Sequence, residues 1–268
     1  MANPARSRFH DAAAPQPPAA RIFAWGARAL YVGPALNLSA HRNAVAVIAL
    51  ALDGAFGVAD PPAETSGHYR RCRSVVIPPG RLHHFTDTQG RMAFLYVDPF
   101  SDDLARLRAS ARAPAPHAAF DLGEEDALIG VMTALADNRA DWPTTRAALD
   151  SLLAGASRPI DPRVETALAM LHAQAGERPS LDLLAARTGL SESRLRHVFK
   201  AATGVPLRRY RLWAAMRTAI GTMARGETLT AAAMDGGFAS SAHFSAAFRA
   251  MFGMEPSRLA KGGLAMEG

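Results

Sequence analysis

Two stretches near the end of the chain combine apolar and basic side chains at helical spacing. The pattern L-x-x-x-F-K at residues 195–200 corresponds to F-x-x-x-F-R at residues 244–249, and a glycine follows each pattern by four residues. On a helix, the apolar positions of such a pattern share one face and the intervening polar positions lie opposite them. Exposed Arg, Lys, His and Ser side chains can donate hydrogen bonds to base edges and to phosphates. The two patterns therefore indicate that this part of the chain binds a polyanion.

Each pattern lies in a predicted helix–glycine–helix unit, the first over Leu181–Phe199 and the second over Leu229–Phe248. Ser or Thr residues predict where the helices start, and glycines predict where they end. A helix of roughly 18 residues beginning at Pro206 joins the units, and at ~1.5 Å per residue it would be ~27 Å long. That length approaches the ~34 Å of one duplex turn, so two recognition helices could enter successive major grooves.

The distribution of charge supports the same interpretation. Residues 1–169 carry 17 Lys+Arg and 17 Asp+Glu, whereas residues 170–268 carry 13 and 7, so the whole net charge of +6 lies in the last hundred residues. A basic region beside a neutral one favours a polyanionic partner for the basic region. A solvated basic face is the simpler alternative that charge alone leaves open.

The remaining elements must support these units. Short β-branched or aromatic runs separated by turn residues predict an antiparallel sandwich or barrel between residues 21 and 100. Apolar residues at helical spacing predict helices over 101–112 and within 123–154, the latter interrupted at Trp142-Pro143. The predicted organisation is a disordered segment (1–20), a β domain (21–100), a helical segment for dimerisation or packing (101–154), a linker (155–162) and an all-α domain (163–262).

Composition excludes several classes of protein. The chain of 268 residues is long enough for one large or two ordinary domains, and its single cysteine, Cys72, cannot form an internal disulfide. No run approaches ~20 apolar residues, and the N-terminal segment lacks the apolar core of a secretory signal. We therefore expect a cytoplasmic protein that does not enter a membrane. Cys72 lies between Arg71 and Arg73, which would lower its pKa if it were exposed, although an ordinary unreactive cysteine is the simpler interpretation.

Residues 163–262 resemble the DNA-binding domain of the AraC/XylS family of bacterial transcription regulators. The resemblance lies in residues 181–213 and in residues 229–259, which contain Gly237-Phe238, His243-Phe244-Ser245, Phe252-Gly253 and Pro256-Ser257. It implies double-stranded DNA and RNA polymerase as partners, and a homodimer formed through the helices of 123–154. Packing of those helices onto the β domain is the alternative.

The resemblance and the helix faces together predict the DNA-binding side chains. Arg196 is the best candidate for a paired contact to guanine, and Lys200 lies late enough in its helix to meet phosphate. Ala246 and Ala215 depart from the family, which commonly has long polar or basic residues at these positions. The phosphate contacts could instead come from arginines of the joining helix, namely Arg208, Arg209, Arg211 and Arg217, although a solvated face is the alternative for each of them. The predicted DNA-binding set is Ser193, Arg196, His197, Lys200, Ser241, His243, Ser245 and Arg249.

The β region resembles, more weakly, the cupin-like regulatory domain of many family members. Pro78-x-Gly80-x-x-His83 matches part of the second cupin motif, but the first motif is absent and no H-x-H occurs. Because a metal needs three or four protein ligands, we expect no metal and no cofactor. A small barrel can hold one small ligand, and its cationic candidates favour an anionic or phenolic effector. The candidate effector-binding residues are His41, His83, His84 and Tyr96.

The predicted fold class is therefore α+β: a cupin-like antiparallel β-barrel with trailing helices, followed by an all-α domain with two helix-turn-helix units joined by a linker helix. The predicted function is a sequence-specific, ligand-responsive and dimeric transcription regulator without enzymatic activity. A cupin-type small-molecule enzyme with a helical accessory domain is one alternative. A constitutive DNA-binding protein whose β domain only dimerises is another.

Overall fold

A computed structural model describes residues 20–26, 28–63, 67–86, 88–98, 102–153, 160–173, 179–261 and 265–267. The predicted disordered segment falls outside these residues except for Ala20, and most of the predicted linker also falls outside them. The strands are β1 (Arg21–Trp25), β2 (Arg28–Pro34), β3 (Ala46–Ala51), β4 (Phe56–Ala59), β5 (Tyr69–Cys72), β6 (Ser74–Ile77), β7 (Phe85–Thr86), β8 (Arg91–Val97), β9 (Ala113–Pro114), β10 (Ala119–Phe120) and β11 (Ala265–Glu267).

The strands form two sheets. The larger sheet has the order β11-β1-β2-β8-β3-β6-β10-β9, and the smaller sheet has the order β5-β4-β7. All pairings are antiparallel except that of β11 with β1. Every residue of β3 is buried, because side chains alternate between two faces and both faces of the larger sheet are covered. One face packs against helices, and the other packs against the smaller sheet and the C-terminal domain.

Three helices cover the first face: α1 (Asp102–Ser110), α2 (Glu125–Ala136) and α3 (Trp142–Leu153). Their apolar residues form one core with alternate residues of β3 and β8, and Leu128, Met132 and Leu149 are fully buried there. The apolar stripes that suggested a dimer seam therefore pack onto the sheet within one chain. The homodimer stays a prediction that rests on the family resemblance.

The C-terminal domain is all helical. Its helices are α4 (Pro162–His172), α5 (Leu181–Thr188), α6 (Glu192–Thr203), α7 (Leu207–Ala224), α8 (Leu229–Asp235), α9 (Ser241–Phe252) and α10 (Pro256–Lys261). The hydroxyl of Thr228 caps α8 and that of Ser240 caps α9, in agreement with the Ser and Thr residues that predict helix starts. The β-rich first part and the helical second part confirm the α+β fold class.

The second face of the larger sheet joins the two domains. Val47 and Phe94 on the sheet, Phe56 on the smaller sheet and Trp213 on α7 belong to one continuous apolar core. Tyr96 lies 5.4 Å from Trp213 and 5.8 Å from Phe252 between ring centroids. Burial of this shared surface couples the folding of the two domains.

Two features of the described residues concern a membrane span and the reactivity of Cys72. No helix among them is long and apolar enough to span a membrane. Cys72 is buried, and burial together with Asp121 and Glu125 raises the pKa of its thiol to about 12. Cys72 therefore does not meet the condition of exposure on which a lowered pKa depended.

Candidate nucleic-acid interface

The first helix-turn-helix unit consists of α5 and α6. The hydroxyl of Ser191 accepts a hydrogen bond from the amide of Arg194 at 3.3 Å, and Gly204 ends α6 in the left-handed conformation. Leu195 and Phe199 are fully buried, so α6 turns its apolar side inward. The side chains on the other side are all exposed, and they include every residue predicted to contact DNA from this unit: Ser193, Arg196, His197 and Lys200.

Arg196 is held by its own helix. Its Nη2 atom donates a hydrogen bond to Glu192 Oε2 at 2.8 Å, and 55% of the Arg196 side chain is exposed. An exposed ion pair four residues apart contributes only ~0.3–0.5 kcal/mol, so it orients the guanidinium without preventing exchange for another acceptor. Arg196 can therefore be redirected to a base edge or a phosphate.

The second unit consists of α8 and α9 and presents a shorter polar face. Ala242, His243, Ala246 and Arg249 are exposed, whereas Ser241 and Ser245 are half-buried. The ring of His243 packs on Phe238 at 5.5 Å, and its Nδ1 accepts a hydrogen bond from the amide of Ala239 at 3.4 Å. Arg249 forms an ion pair with Glu255. This face therefore offers fewer long side chains than the first one.

The linker helix α7 has 18 residues, as its spacing predicted. Ala215, where the family commonly has a basic residue, is 1% exposed and belongs to the core. Arg211 donates to the carbonyl of Pro179 at 3.0 Å and Arg217 to that of Gly26 at 3.1 Å. These two side chains are half-buried against other parts of the chain, and a contact of either one with phosphate stays a prediction. Arg208 is exposed.

The four predicted effector-binding residues do not share one site. Tyr96 lines a cavity of about 1070 Å³ between the larger sheet and α7, whereas His84 bonds to the hydroxyl of Tyr69 at 2.8 Å. His41 and His83 contact each other at 4.2 Å between ring centroids. The interior between the two sheets is filled by side chains such as Phe56 and Phe85, 5.4 Å apart. The cavity therefore lies between the domains rather than inside a barrel, and of the four residues only Tyr96 lines it.

The two contacting histidines are buried and neutral. His41 is 4% and His83 is 2% exposed, and each Nδ1 donates to a backbone carbonyl. Burial lowers the pKa of His41 to about 4, and it lowers the pKa of His83 as well. Within the described parts of the chain, no group of three His, Cys, Asp or Glu is placed to hold a metal.

A buried polar cluster joins the domains on the side of the first unit. Tyr210 donates a hydrogen bond to Asp98 at the end of β8, and the Nε2 atom of His172 lies 2.5 Å from the hydroxyl of Tyr210. Burial lowers the pKa of His172 to about 4, and burial together with Asp98 raises the pKa of Tyr210 far above its usual range. No local pattern in the sequence indicates this cluster, since its members lie up to 112 residues apart.

Comparisons with known proteins agree with this geometry. Residues 184–262 match the helix-turn-helix domain family. No curated protein sequence matches the chain. Among solved structures, ToxT from Vibrio cholerae O395 has a TM-score of 0.56 at 12% identity, over 88% of this chain and 96% of that chain. Wild-type ToxT from strain SCE256, with an unsaturated fatty acid bound, has a TM-score of 0.51 at 13% identity, over 90% and 97%.

An AraC-type DNA-binding protein from Chromobacterium violaceum is 25% identical over 37% of this chain and 90% of that chain, with a TM-score of 0.35. The ToxT structures share the two-domain fold of this chain, and the family match covers both units that the sequence patterns predicted. Residues 184–262 therefore match a helix-turn-helix domain, in agreement with the resemblance that the sequence patterns indicate.

Proposed function

We propose that this chain is a DNA-binding transcription regulator in which α6 reads bases and α9 contacts mainly the backbone of a neighbouring major groove. The observation that carries the proposal is the pair of capped units with exposed polar faces, joined by an 18-residue helix. The eight predicted side chains are the proposed contacts. In the first unit, Ser193, Arg196 and His197 would contact base edges. Lys200 of the first unit and Arg249 of the second would contact phosphates.

Selection of duplexes from a random pool with the purified full chain tests this proposal. The expected result is enrichment of a duplex with two conserved segments about one helical turn apart, one more strongly conserved than the other. Failure to enrich any duplex would contradict the function.

We also propose that a small-molecule effector binds in the cavity between the domains. Its sheet side is apolar and aromatic, with Tyr31, Phe94 and Tyr96, whereas α7 contributes Arg211 and Arg217. The Nε of Arg211 and the Nε1 of Trp213 are buried and have no hydrogen-bond acceptor among the described residues. A buried donor without an acceptor costs free energy, so an oxygen-bearing ligand would stabilise this wall.

These features suit an amphipathic anion with an apolar body, and ToxT, which shares the fold, has been solved with an unsaturated fatty acid bound. A thermal-shift series of carboxylic acids and the matching alcohols tests the proposal, because a ligand at ~100 times its Kd stabilises the folded state by ~2.7 kcal/mol. Stabilisation by the acids alone is expected. Arg211→Met should remove it, whereas equal stabilisation by the alcohols would exclude a role for the charge.

A homodimer and a contact with RNA polymerase complete the proposed function. Both rest on the family resemblance. The proposed regulator acts without a catalytic step, and nothing in the comparisons supports the alternative of a cupin-type enzyme.

A further inference from the structure

The C-terminal end of α9 is capped by the other domain. The amide and the hydroxyl of Ser39 both donate to the carbonyl of Gly253, at 2.9 and 2.8 Å. The side-chain amide of Asn43 donates to the carbonyl of Met251 at 2.7 Å. The last carbonyls of a helix have no partner within the helix and carry its partial negative charge. Residues 39–43, the segment that follows β2, therefore supply the donors that the end of α9 requires.

This capping segment is itself fixed within the β domain. Asn43 is 2% exposed, and its carbonyl accepts a hydrogen bond from the amide of Gly80 at 2.9 Å. The amide and the carbonyl of His41 bond to the carbonyl and the amide of His83, at 3.1 and 3.0 Å. The contact is therefore a link between two ordered surfaces, and it holds the end of α9 at a defined place on the β domain.

The corresponding glycines show that the two units differ at this point. Gly204 ends α6 with φ of +70°, and Gly253 ends α9 with φ of +73°. A Cβ atom at Gly204 would have nothing within 4 Å, whereas one at Gly253 would lie 2.4 Å from the carbonyl oxygen of Ser39 and 2.7 Å from Nδ1 of His41. The close approach of the β domain therefore requires glycine at the end of the second unit.

We propose that Ser39 and Asn43 are positioning residues for the second recognition helix. This inference rests on the proposed DNA-binding function and adds to it an asymmetry: the β domain sets the placement of α9 on DNA through the cap, and it does so without acting on α6. The polar face of α9 stays exposed while its end is capped, so the cap is compatible with DNA contact. A change of conformation in the β domain would then change the affinity of α9 for the second half-site.

The matched substitutions Gly253→Ala and Gly204→Ala test the proposal. Both place a side chain at a similar positive φ, which strains the backbone to a similar degree, but only Gly253→Ala also meets the capping segment. On a duplex selected with the wild-type chain, hydroxyl-radical footprinting would measure protection at each half-site separately. The half-site whose protection Arg249→Ala weakens belongs to the second unit.

For Gly253→Ala we expect the concentration for half-protection of the second half-site to rise about tenfold, a change of ~1.4 kcal/mol, with the first half-site nearly unchanged. Gly204→Ala should leave the second half-site unchanged. Asn43→Asp should act like Gly253→Ala, because a carboxylate beside the negative end of α9 replaces a donor by a repelled charge. Equal effects of the two glycine variants on both half-sites, or stronger protection of the second half-site after Gly253→Ala, would overturn the proposal.

Hydrogen exchange at the amide of Ser39 measures whether the capping contact is formed, independently of DNA binding. Exchange should accelerate in Gly253→Ala and Asn43→Asp and should stay as in the wild type in Gly204→Ala. Accelerated exchange with an unchanged footprint would overturn the positioning role while leaving the DNA-binding function intact. A wild-type chain that protects no duplex would instead overturn the proposed function, and the inference with it.

Discussion

The two helix-turn-helix units are built alike but are connected differently to the rest of the molecule. Phe199 and Phe248 occupy the same position, both fully or almost fully buried, and a left-handed glycine follows each helix. The first unit carries several long exposed side chains and an open helix end. The second carries fewer long side chains, and its end lies against the β domain. The two units thus share one helical framework. The exposed face of the first suits contacts to bases, and the contact of the second with the β domain suits the positioning of α9.

The strongest test of their similarity is truncation of the corresponding phenylalanines. Phe199→Ala and Phe248→Ala should each lower the free energy of unfolding by ~3–5 kcal/mol, because each leaves a cavity in a packed core. Urea denaturation followed by both fluorescence and circular dichroism would measure this loss. A decrease in unfolding free energy below ~1 kcal/mol for either variant would show that the two phenylalanines do not play the same part in the core.

If the first unit contacts bases and the second mainly contacts phosphates, Arg196→Ala should change the preference of the chain for particular base pairs. Loss of a paired contact to guanine should weaken binding to the selected duplex by ~1–3 kcal/mol and relax the preference at one base pair. Arg146→Ala is the matched control, since Arg146 is 50% exposed and pairs with a carboxylate four residues away, on α3. An unchanged affinity and preference in Arg196→Ala would refute the assignment of base reading to the first unit.

The stability of the fold should fall in acid because of His41, which lies beside Gly253 at the end of the second unit. The pKa of His41 is lowered from about 6.5 to about 4 in the folded chain, chiefly by burial, so this neutral side chain stabilises the fold fully above pH 6.5 and loses that contribution as pH falls toward 4. Between pH 7 and pH 5.5 the loss is ~1 kcal/mol. His41→Gln should show a correspondingly smaller loss of unfolding free energy over this range, and an identical pH dependence would contradict the burial of a neutral His41.

The smallest expected effect belongs to Arg249. Because this side chain is 63% exposed and paired with Glu255, Arg249→Ala should cost less than ~1 kcal/mol of binding free energy, about equally on all sequences, and reduce the salt slope by ~1. Titrations at several salt concentrations on selected and random duplexes would measure this. Glu255→Gln is expected to act in the opposite direction, and a loss confined to one sequence would contradict a phosphate contact.

Local features of the sequence predicted the C-terminal domain closely. Ser180, Ser191, Gly189 and Gly204 mark helix ends through their own backbone and hydroxyl groups, so their effect can be derived from neighbouring residues. The prediction also identified the outward face of α6, because the helical period alone separates Arg196 from the buried Phe199.

The arrangement of the two domains could not be predicted in the same way. The bond from Asn43 to the carbonyl of Met251 joins residues 208 positions apart, and a backbone acceptor leaves no signature in the sequence. The location of the cavity was missed for the same reason: Tyr96 was predicted, but Trp213 and Arg217 face it from a helix whose packing on the sheet is not a local property. Ala215, by contrast, departs from the family at a position that sequence alone identifies, and its burial explains the departure.

A spacing series on the selected duplex tests the central claim most directly. Insertion of about 5 base pairs between the two half-sites turns them to opposite faces of the duplex, beyond the reach of units joined by one rigid helix. The account predicts that such a duplex binds no better than one with a single half-site. Binding that is unaffected by the insertion would contradict a pair of recognition helices held at a fixed separation.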